Sequence, residues 1–216
     1  MRGYPVTPTA ASGKIPAAPA IHENRGLTPC IHDVARRAAK AGLLAFAPDG
    51  LTPLGGDPSS DHEGRILQRT VDGAKLMNDF SSAAEWLTAH EASTGKVGAA
   101  GFRHGGGVCG TLAAGCPELG ASGPFHGRQP NAADVPQVEA PRQTHHAELA
   151  PRINEGALAY ARPRWTLRAR PPPPASTRAS TTGSTTTAPR GMTKRRRGWR
   201  GRVPPRSSMP TGAEAR

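Results

Sequence analysis

A short segment with spaced glycines is the part of the sequence whose residue types could position a reactive group. Residues 101–105 are Gly-Phe-Arg-His-Gly, and they follow residues 96–102, whose small and apolar side chains predict a buried strand. Glycines two positions before and after a central residue permit a tight strand-to-helix turn that presents this residue as a nucleophile. The central residue is Arg103, whose guanidinium stays protonated and cannot act as a nucleophile. A glycine-rich turn of this kind could instead bind phosphate.

Predicted helices and strands alternate along the sequence on both sides of this turn. Thr28 and Pro29 are typical of a helix N-terminus, and Gly42 is typical of its C-terminal end. The predicted order is a strand at 17–21, a helix from 29, a strand at 43–47, a loop at 51–63, a helix at 71–89, a strand at 96–102, a helix to 114 and a strand at 124–126. This alternation predicts an α/β fold with a mostly parallel sheet and helices on both faces.

Charge separates the chain into two regions. Residues 161–216 contain 14 of the 28 Lys and Arg residues but one of the 16 acidic residues, Glu214. Residues 1–160 therefore contain 14 basic and 15 acidic side chains, which nearly balance. Residues 161–216 also contain a four-proline run and Ser/Thr repeats, and they have no apolar periodicity. We therefore expect an α/β domain over residues 1–160 and a disordered basic tail over residues 161–216.

The remaining composition excludes several classes of site. Cys30, Cys109 and Cys116 have no metal-like spacing and are odd in number, which predicts neither a metal site nor a disulfide framework. No apolar run approaches the roughly 20 residues needed to span a bilayer, and no basic flank precedes an apolar stretch near Met1. These features predict a cytoplasmic protein with no membrane partner, no metal and no cofactor.

Several motifs at matching spacing resemble one enzyme family over residues 2–160. In order they are His-Glu-Asn-Arg-Gly-Leu at 22–27, Ala-Pro-Asp at 47–49, Leu-Gly-Gly at 54–56, Thr-Gly-Lys-Val-Gly at 94–98, Gly-Arg-Gln-Pro at 127–130 and Ala-Glu-Leu-Ala-Pro-Arg-Ile-Asn at 147–154. With the turn at 101–105, they resemble the dienelactone hydrolase (carboxymethylenebutenolidase) family. The resemblance implies an α/β-hydrolase fold and a Cys-Asp-His triad that hydrolyses a small-molecule lactone or ester without a cofactor.

The resemblance also assigns positions within the implied site. Arg103 occupies the position of the nucleophilic cysteine, and the N–H of His104 is expected to contribute to the oxyanion hole with one N–H from residues 23–26. Glu23 occupies the position of the glutamate that pairs with the resting thiol in the family. Cys109 lies six residues after Arg103 and is expected to be a packing residue rather than a substitute nucleophile.

The two other triad positions also depart from the family pattern. Ala150 stands where the family has the aspartate, and alanine cannot orient an imidazole; Glu148 is a weak alternative by its spacing. Just before this motif, residues 141–146 should form a buried strand, although Arg142 and Gln143 would place polar groups in it. The family's His-Gly-Phe-His-Asn-Asp motif, which carries the histidine, is absent from the sequence.

The missing histidine motif can be recovered in another reading frame. Residues 181–186 are Thr-Thr-Gly-Ser-Thr-Thr, and codons permitted for them, read from the third base of the first codon, encode His-Gly-Phe-His-Asn-Asp. In the same frame residues 190–200 can encode a helix that the family carries near its C-terminus. Met192 and Trp199 each fix a third base as G, and both bases satisfy that frame. We therefore interpret the tail as an out-of-frame translation and expect the C-terminal part of the domain to be truncated.

Three functions remain open from the sequence. The first is a dienelactone hydrolase family protein that is catalytically inactive because its triad is not intact. The second is a non-catalytic protein whose basic tail binds nucleic acid or acidic surfaces through non-specific charge. The third is a binding protein for a lactone or a similar ligand, which no particular residue supports.

The nucleotide sequence of the gene tests the out-of-frame interpretation. We expect the codons of residues 181–186 and 190–200 to supply the shifted sequence without any substitution of bases. Resequencing from codon 95 to the end of the gene provides the measurement. Third bases that cannot encode the family motif in the shifted frame would rule the interpretation out.

Overall fold

A mixed five-stranded sheet is the framework of residues 1–146, the part of the chain that this computed structural model describes. The strands are β1 (Arg2–Val6), β2 (Ile15–Ile21), β3 (Leu44–Asp49), β4 (Ser93–Phe102) and β5 (Ala121–Phe125). Their order across the sheet is β1-β3-β2-β4-β5, and β1 is antiparallel to β3, whereas the other neighbours are parallel. The carboxyl ends of β2, β3, β4 and β5 therefore meet at one edge of the sheet.

Residues 1–146 form four helices, three of which cover the two faces of this sheet. The four helices are α1 (Pro29–Lys40), α2 (Asp61–Thr70), α3 (Gly73–Ala89) and α4 (His104–Gly115), and 3-10 turns occur at Thr52–Leu54 and Val135–Gln137. Helix α1 packs on one face, against β1, β2 and β3, and α3 and α4 pack together on the opposite face. This arrangement confirms the predicted α/β fold with helices on both faces. Within residues 1–146, no helix combines the length and the apolar character required to cross a bilayer.

The central strands are buried on both faces. In β2, Ala17 and Ile21 contribute to the clusters beneath α3 and α4, whereas Ala20 packs toward α1 with Ile31. Successive side chains of a strand point to opposite faces, so a strand covered by helices on both sides needs apolar or small residues throughout. The apolar sequences of β2 and β3 follow from this double burial.

Two elements differ from the sequence-based expectation. Residues 51–63 were predicted as a loop, but a helix, α2, begins after Ser60, whose Oγ accepts a hydrogen bond from Glu63 N–H at 3.4 Å. Gly64 is the buried residue of this helix and Ile66 is exposed, so α2 buries no apolar stripe in the core. The sheet also gains β1, which pairs with β3 at its edge.

Residues 141–146 lie alongside β5 but form no strand, and Pro141 and Gln143 are exposed, so the prediction of a buried strand there was wrong. Ser122 N–H donates to Pro141 O, and Gln143 N–H donates to Ser122 O, each at 2.9 Å. These bonds form isolated parallel bridges rather than a continuous ladder. The Arg142 side chain is partly buried near Cys109, and burial lowers the pKa of its guanidinium.

Glycines make the junction between β4 and α4 possible. A Cβ atom on Gly105, in the first turn of α4, would collide with the carbonyl oxygens of Ile21 and His22 at the end of β2. A Cβ on Gly101 would collide with the carbonyl of Gly105 and would lie 2.9 Å from Sγ of Cys109. The absence of side chains at both positions therefore lets the helix approach the sheet closely.

Two alanine substitutions in α4 test this close approach. We expect G105A to lower the free energy of unfolding by about 1–3 kcal/mol, because its methyl group has no room against the β2 carbonyls. G107A is the matched control, since its nearest contacts lie at 3.7 Å and alanine favours a helix over glycine by about 0.5–1 kcal/mol. Urea unfolding followed by circular dichroism measures both. Equal destabilisation by the two substitutions would contradict this account of the junction.

Candidate functional site

The sharp turn between β4 and α4 places Arg103 at the carboxyl edge of the sheet. Its backbone has φ 51° and ψ −105°, a conformation that costs a residue with a side chain on the order of 1–3 kcal/mol. Arg103 N–H donates to Phe125 O at 2.8 Å, and Gly107 N–H donates to Arg103 O at 3.1 Å. The strained turn inferred from the glycine spacing is therefore present, and Arg103 occupies its central position.

Glu23 lies directly beside this position. The loop after β2 carries Glu23, and its Oε2 is 3.3 Å from Nε of Arg103. The Arg103 side chain is 39% exposed, so solvent screens the ion pair and limits its contribution to at most about 1 kcal/mol. The structure thus brings together Arg103 and Glu23, the two residues for which the family resemblance implied a contact, and they form an ion pair.

His104 begins helix α4 next to Arg103. Its Nε2 lies 3.4 Å from Nε2 of Gln68, which comes from α2. Burial lowers the pKa of His104 to about 4, and the nearby His22 makes a smaller contribution in the same direction. The imidazole of His104 is therefore neutral at pH 7. The first N–H groups of a helix have no partner within the helix, which makes the His104 N–H available in principle to a developing negative charge.

Two histidines at this edge were not predicted as site residues. His22 directly follows β2 and is fully buried, and His126 directly follows β5 and is 2% exposed. Burial, and then the positive charges of His146, Arg103 and His145, lower the pKa of His126 to about 4. The sequence signal that could have identified His22 is its position immediately after the predicted strand at 17–21, where parallel sheets place functional side chains. His126 was predicted as the last residue of a strand at 124–126, whereas β5 ends at Phe125.

Cys109 is part of the core rather than the site. Its side chain is fully buried in the cluster between α4 and the sheet. Burial raises the pKa of its thiol to about 12, so almost no reactive thiolate exists at neutral pH. The expectation that Cys109 is a packing residue agrees with this position.

The remaining predicted positions lie outside the described residues. Ala150 and Glu148 both fall after residue 146, as does the segment that was interpreted as out-of-frame. Within residues 1–146, no group of three or more His, Cys, Asp or Glu side chains is arranged to hold a metal ion.

Comparison with known proteins gives one consistent family. The profile described as "Dienelactone hydrolase family" matches residues 1–162. The hydrolase fragment YghX of Escherichia coli (strain K12) is 60% identical over 72 residues, which cover 33% of this chain and 62% of YghX. A Yersinia pestis protein named as a candidate carboxymethylenebutenolidase is 28% identical over 128 residues, covering 58% of this chain and 48% of that protein.

A solved structure supports the same relationship. The dienelactone hydrolase of Anabaena variabilis aligns with a TM-score of 0.56 and 25% identity, over 73% of this chain and 72% of that one. The chain spans less than two thirds of the length of either curated relative described above. The match over residues 1–162 is consistent with the α/β sheet and with the strained turn at Arg103. The chain belongs to the dienelactone hydrolase family.

Proposed function

We propose that this chain has the scaffold of a hydrolase for a small lactone or carboxylic ester but does not perform the covalent reaction. The observation that carries the proposal is the ion pair between Arg103 and Glu23 at the tip of the strained turn. The position from which a nucleophile would attack is occupied by a cation that is already paired with the neighbouring carboxylate.

The chemistry of acyl transfer explains why this replacement matters. A covalent mechanism needs a group that donates an electron pair to the carbonyl carbon and then leaves when water hydrolyses the acyl intermediate. The guanidinium of Arg103 has no available electron pair at neutral pH. The nearest thiol along the chain, that of Cys109, is buried and protonated. Neither group supports the first step.

Other parts of an ester-hydrolysing site are compatible with the geometry. The N–H of His104, at the start of α4, and an N–H from the loop of Glu23 would stabilise the oxyanion of a lactone or ester. The proposed substrate class follows the family and the name of the Yersinia pestis relative. Glu23 would pair with a thiol at position 103 if one were present.

We also propose that residues 161–216 are the out-of-frame remainder of the same domain. The family match ends at residue 162, next to the point where the composition becomes basic and proline-rich. This coincidence favours an altered frame over a tail selected to bind nucleic acid. Binding that depends steeply on salt and survives scrambling of the tail sequence would indicate charge without a specific site.

Restoring a thiol at the turn tests the proposal. We expect R103C to be alkylated by iodoacetamide at residue 103 at least about tenfold faster than at Cys109, because burial and a pKa of about 12 protect Cys109. With p-nitrophenyl acetate, R103C should release about one equivalent of p-nitrophenol and turn over slowly, since no triad aspartate or histidine completes the cycle. Peptide mass spectrometry and stopped-flow absorbance provide the measurements.

R103A is the matched control, because it removes the guanidinium without adding a nucleophile. It should show neither the alkylation at residue 103 nor the burst. An R103C thiol that reacts no faster than Cys109 would mean that position 103 is not presented to solvent as a nucleophile would be.

A further inference from the structure

His22 is a fully buried imidazole with a hydrogen bond on each ring nitrogen. Gly50 N–H donates to its Nε2 at 2.9 Å, and its Nδ1 lies 2.6 Å from the carbonyl oxygen of Glu23. Because the backbone donor faces Nε2, that nitrogen carries no proton, and Nδ1 must be the donor to the Glu23 carbonyl. The contacts therefore select one neutral tautomer of His22.

The surroundings keep this imidazole neutral. The Phe80 ring meets it edge-on, with ring centroids 5.8 Å apart. Burial lowers the pKa of His22, and this effect outweighs the opposing hydrogen bond to Glu23 and the charge of Asp49. The side chain consequently keeps the same donor and acceptor pattern at neutral pH.

His22 connects three segments that form the site. Its ring joins Gly50, at the end of β3, to the loop that carries Glu23. Its own carbonyl oxygen accepts a hydrogen bond from Gly105 N–H, in the first turn of α4, at 3.1 Å. The turn at Arg103 and the Glu23 loop are thus both held by one residue.

The bond to the Glu23 carbonyl also orients the next N–H group. The described chain contains no cis peptide bond, so the Glu23 C=O and the Asn24 N–H point in opposite directions. Since the carbonyl faces His22, the Asn24 N–H faces away from it, and Asn24 is exposed. Rotation of this peptide would break the bond to Nδ1.

We propose that His22 is a positioning residue, which holds the Glu23 peptide in one orientation so that the Glu23 carboxylate meets position 103. This inference does not rest on the proposed function, because it concerns contacts that exist in the chain as it stands.

Nuclear magnetic resonance of the intact, nitrogen-labelled chain tests the tautomer directly. We expect His22 to show a protonated Nδ1 and an unprotonated Nε2 at neutral pH, and to have a pKa below that of an ordinary histidine because it is buried. A proton on Nε2 at neutral pH would overturn the proposal.

Substitutions then test the positioning of Glu23. In H22L, which removes both ring bonds, we expect the Arg103 Nε–H to exchange with water about tenfold faster than in the intact chain, as loss of a hydrogen bond implies. H22N keeps a donor near the place of Nδ1 and should stay within about threefold, and the matched control H62L removes an exposed histidine of α2 and should have no effect. Unchanged exchange in H22L would contradict the proposal. If H22L does not fold, H22N alone decides. A tenfold faster exchange of the Arg103 Nε–H in H22N than in the intact chain would then contradict the proposal.

Neither measurement depends on hydrolysis. A finding that the unmodified chain hydrolyses esters would overturn the proposed function but would leave the positioning role of His22 standing. Failure of the tautomer or exchange experiment would overturn the positioning role of His22 but would leave the proposed function standing.

Discussion

The close approach of helix α4 to the end of strand β2 is the constraint on which the rest of the structure depends. It requires glycine at positions 101 and 105, and it forces Arg103 between them into a backbone conformation that side chains rarely adopt. Two backbone hydrogen bonds, from Arg103 to Phe125 and from Gly105 to His22, hold the turn in place. The fold thus maintains a strained strand-to-helix turn with Arg103 at its tip.

An ion pair dominates the electrostatics at the tip of this turn. Glu23 keeps a partner, because the guanidinium of Arg103 lies within 3.3 Å of its carboxylate. The neighbouring His104 and His126 are neutral at pH 7, since burial lowers the pKa of each to about 4. An arginine is therefore accommodated beside the carboxylate by an ion pair at the solvent-exposed edge of the sheet, which explains how the turn tolerates it.

Much of this arrangement could be predicted from the sequence, since it depends on local patterns. The apolar strands, the start of helix α1 at Pro29 and the glycine spacing around Arg103 each follow from short-range rules, although the Thr28 side chain makes no capping hydrogen bond. Helix α2 was not predicted, although Ser60 followed three residues later by Glu63 is a local signal for the start of a helix. Its buried residue is Gly64, and it contacts the backbone of Arg25 and the side chain of His104. Its placement therefore depends on tertiary contacts rather than on an apolar stripe packed in the core.

The roles of single side chains were harder to predict than the fold. His22 was recognised as part of a motif, but one of its two ring bonds involves Gly50, which is distant in sequence and becomes a neighbour when β2 and β3 pair. Glu23 was placed correctly next to position 103 because the family resemblance supplied that contact. Pattern and spacing identify which strand ends meet, whereas the hydrogen bonds that orient each group depend on the packed structure.

Hydrolysis of p-nitrophenyl acetate by the intact chain, compared with its R103A variant, tests the central claim most directly. We predict that the intact chain shows no saturable turnover and no acyl adduct on residues 101–109, and that R103A behaves identically, because Arg103 supplies no electron pair to the carbonyl. Saturable hydrolysis by the intact chain that disappears in R103A would contradict the claim that this member of the family has lost its covalent reaction.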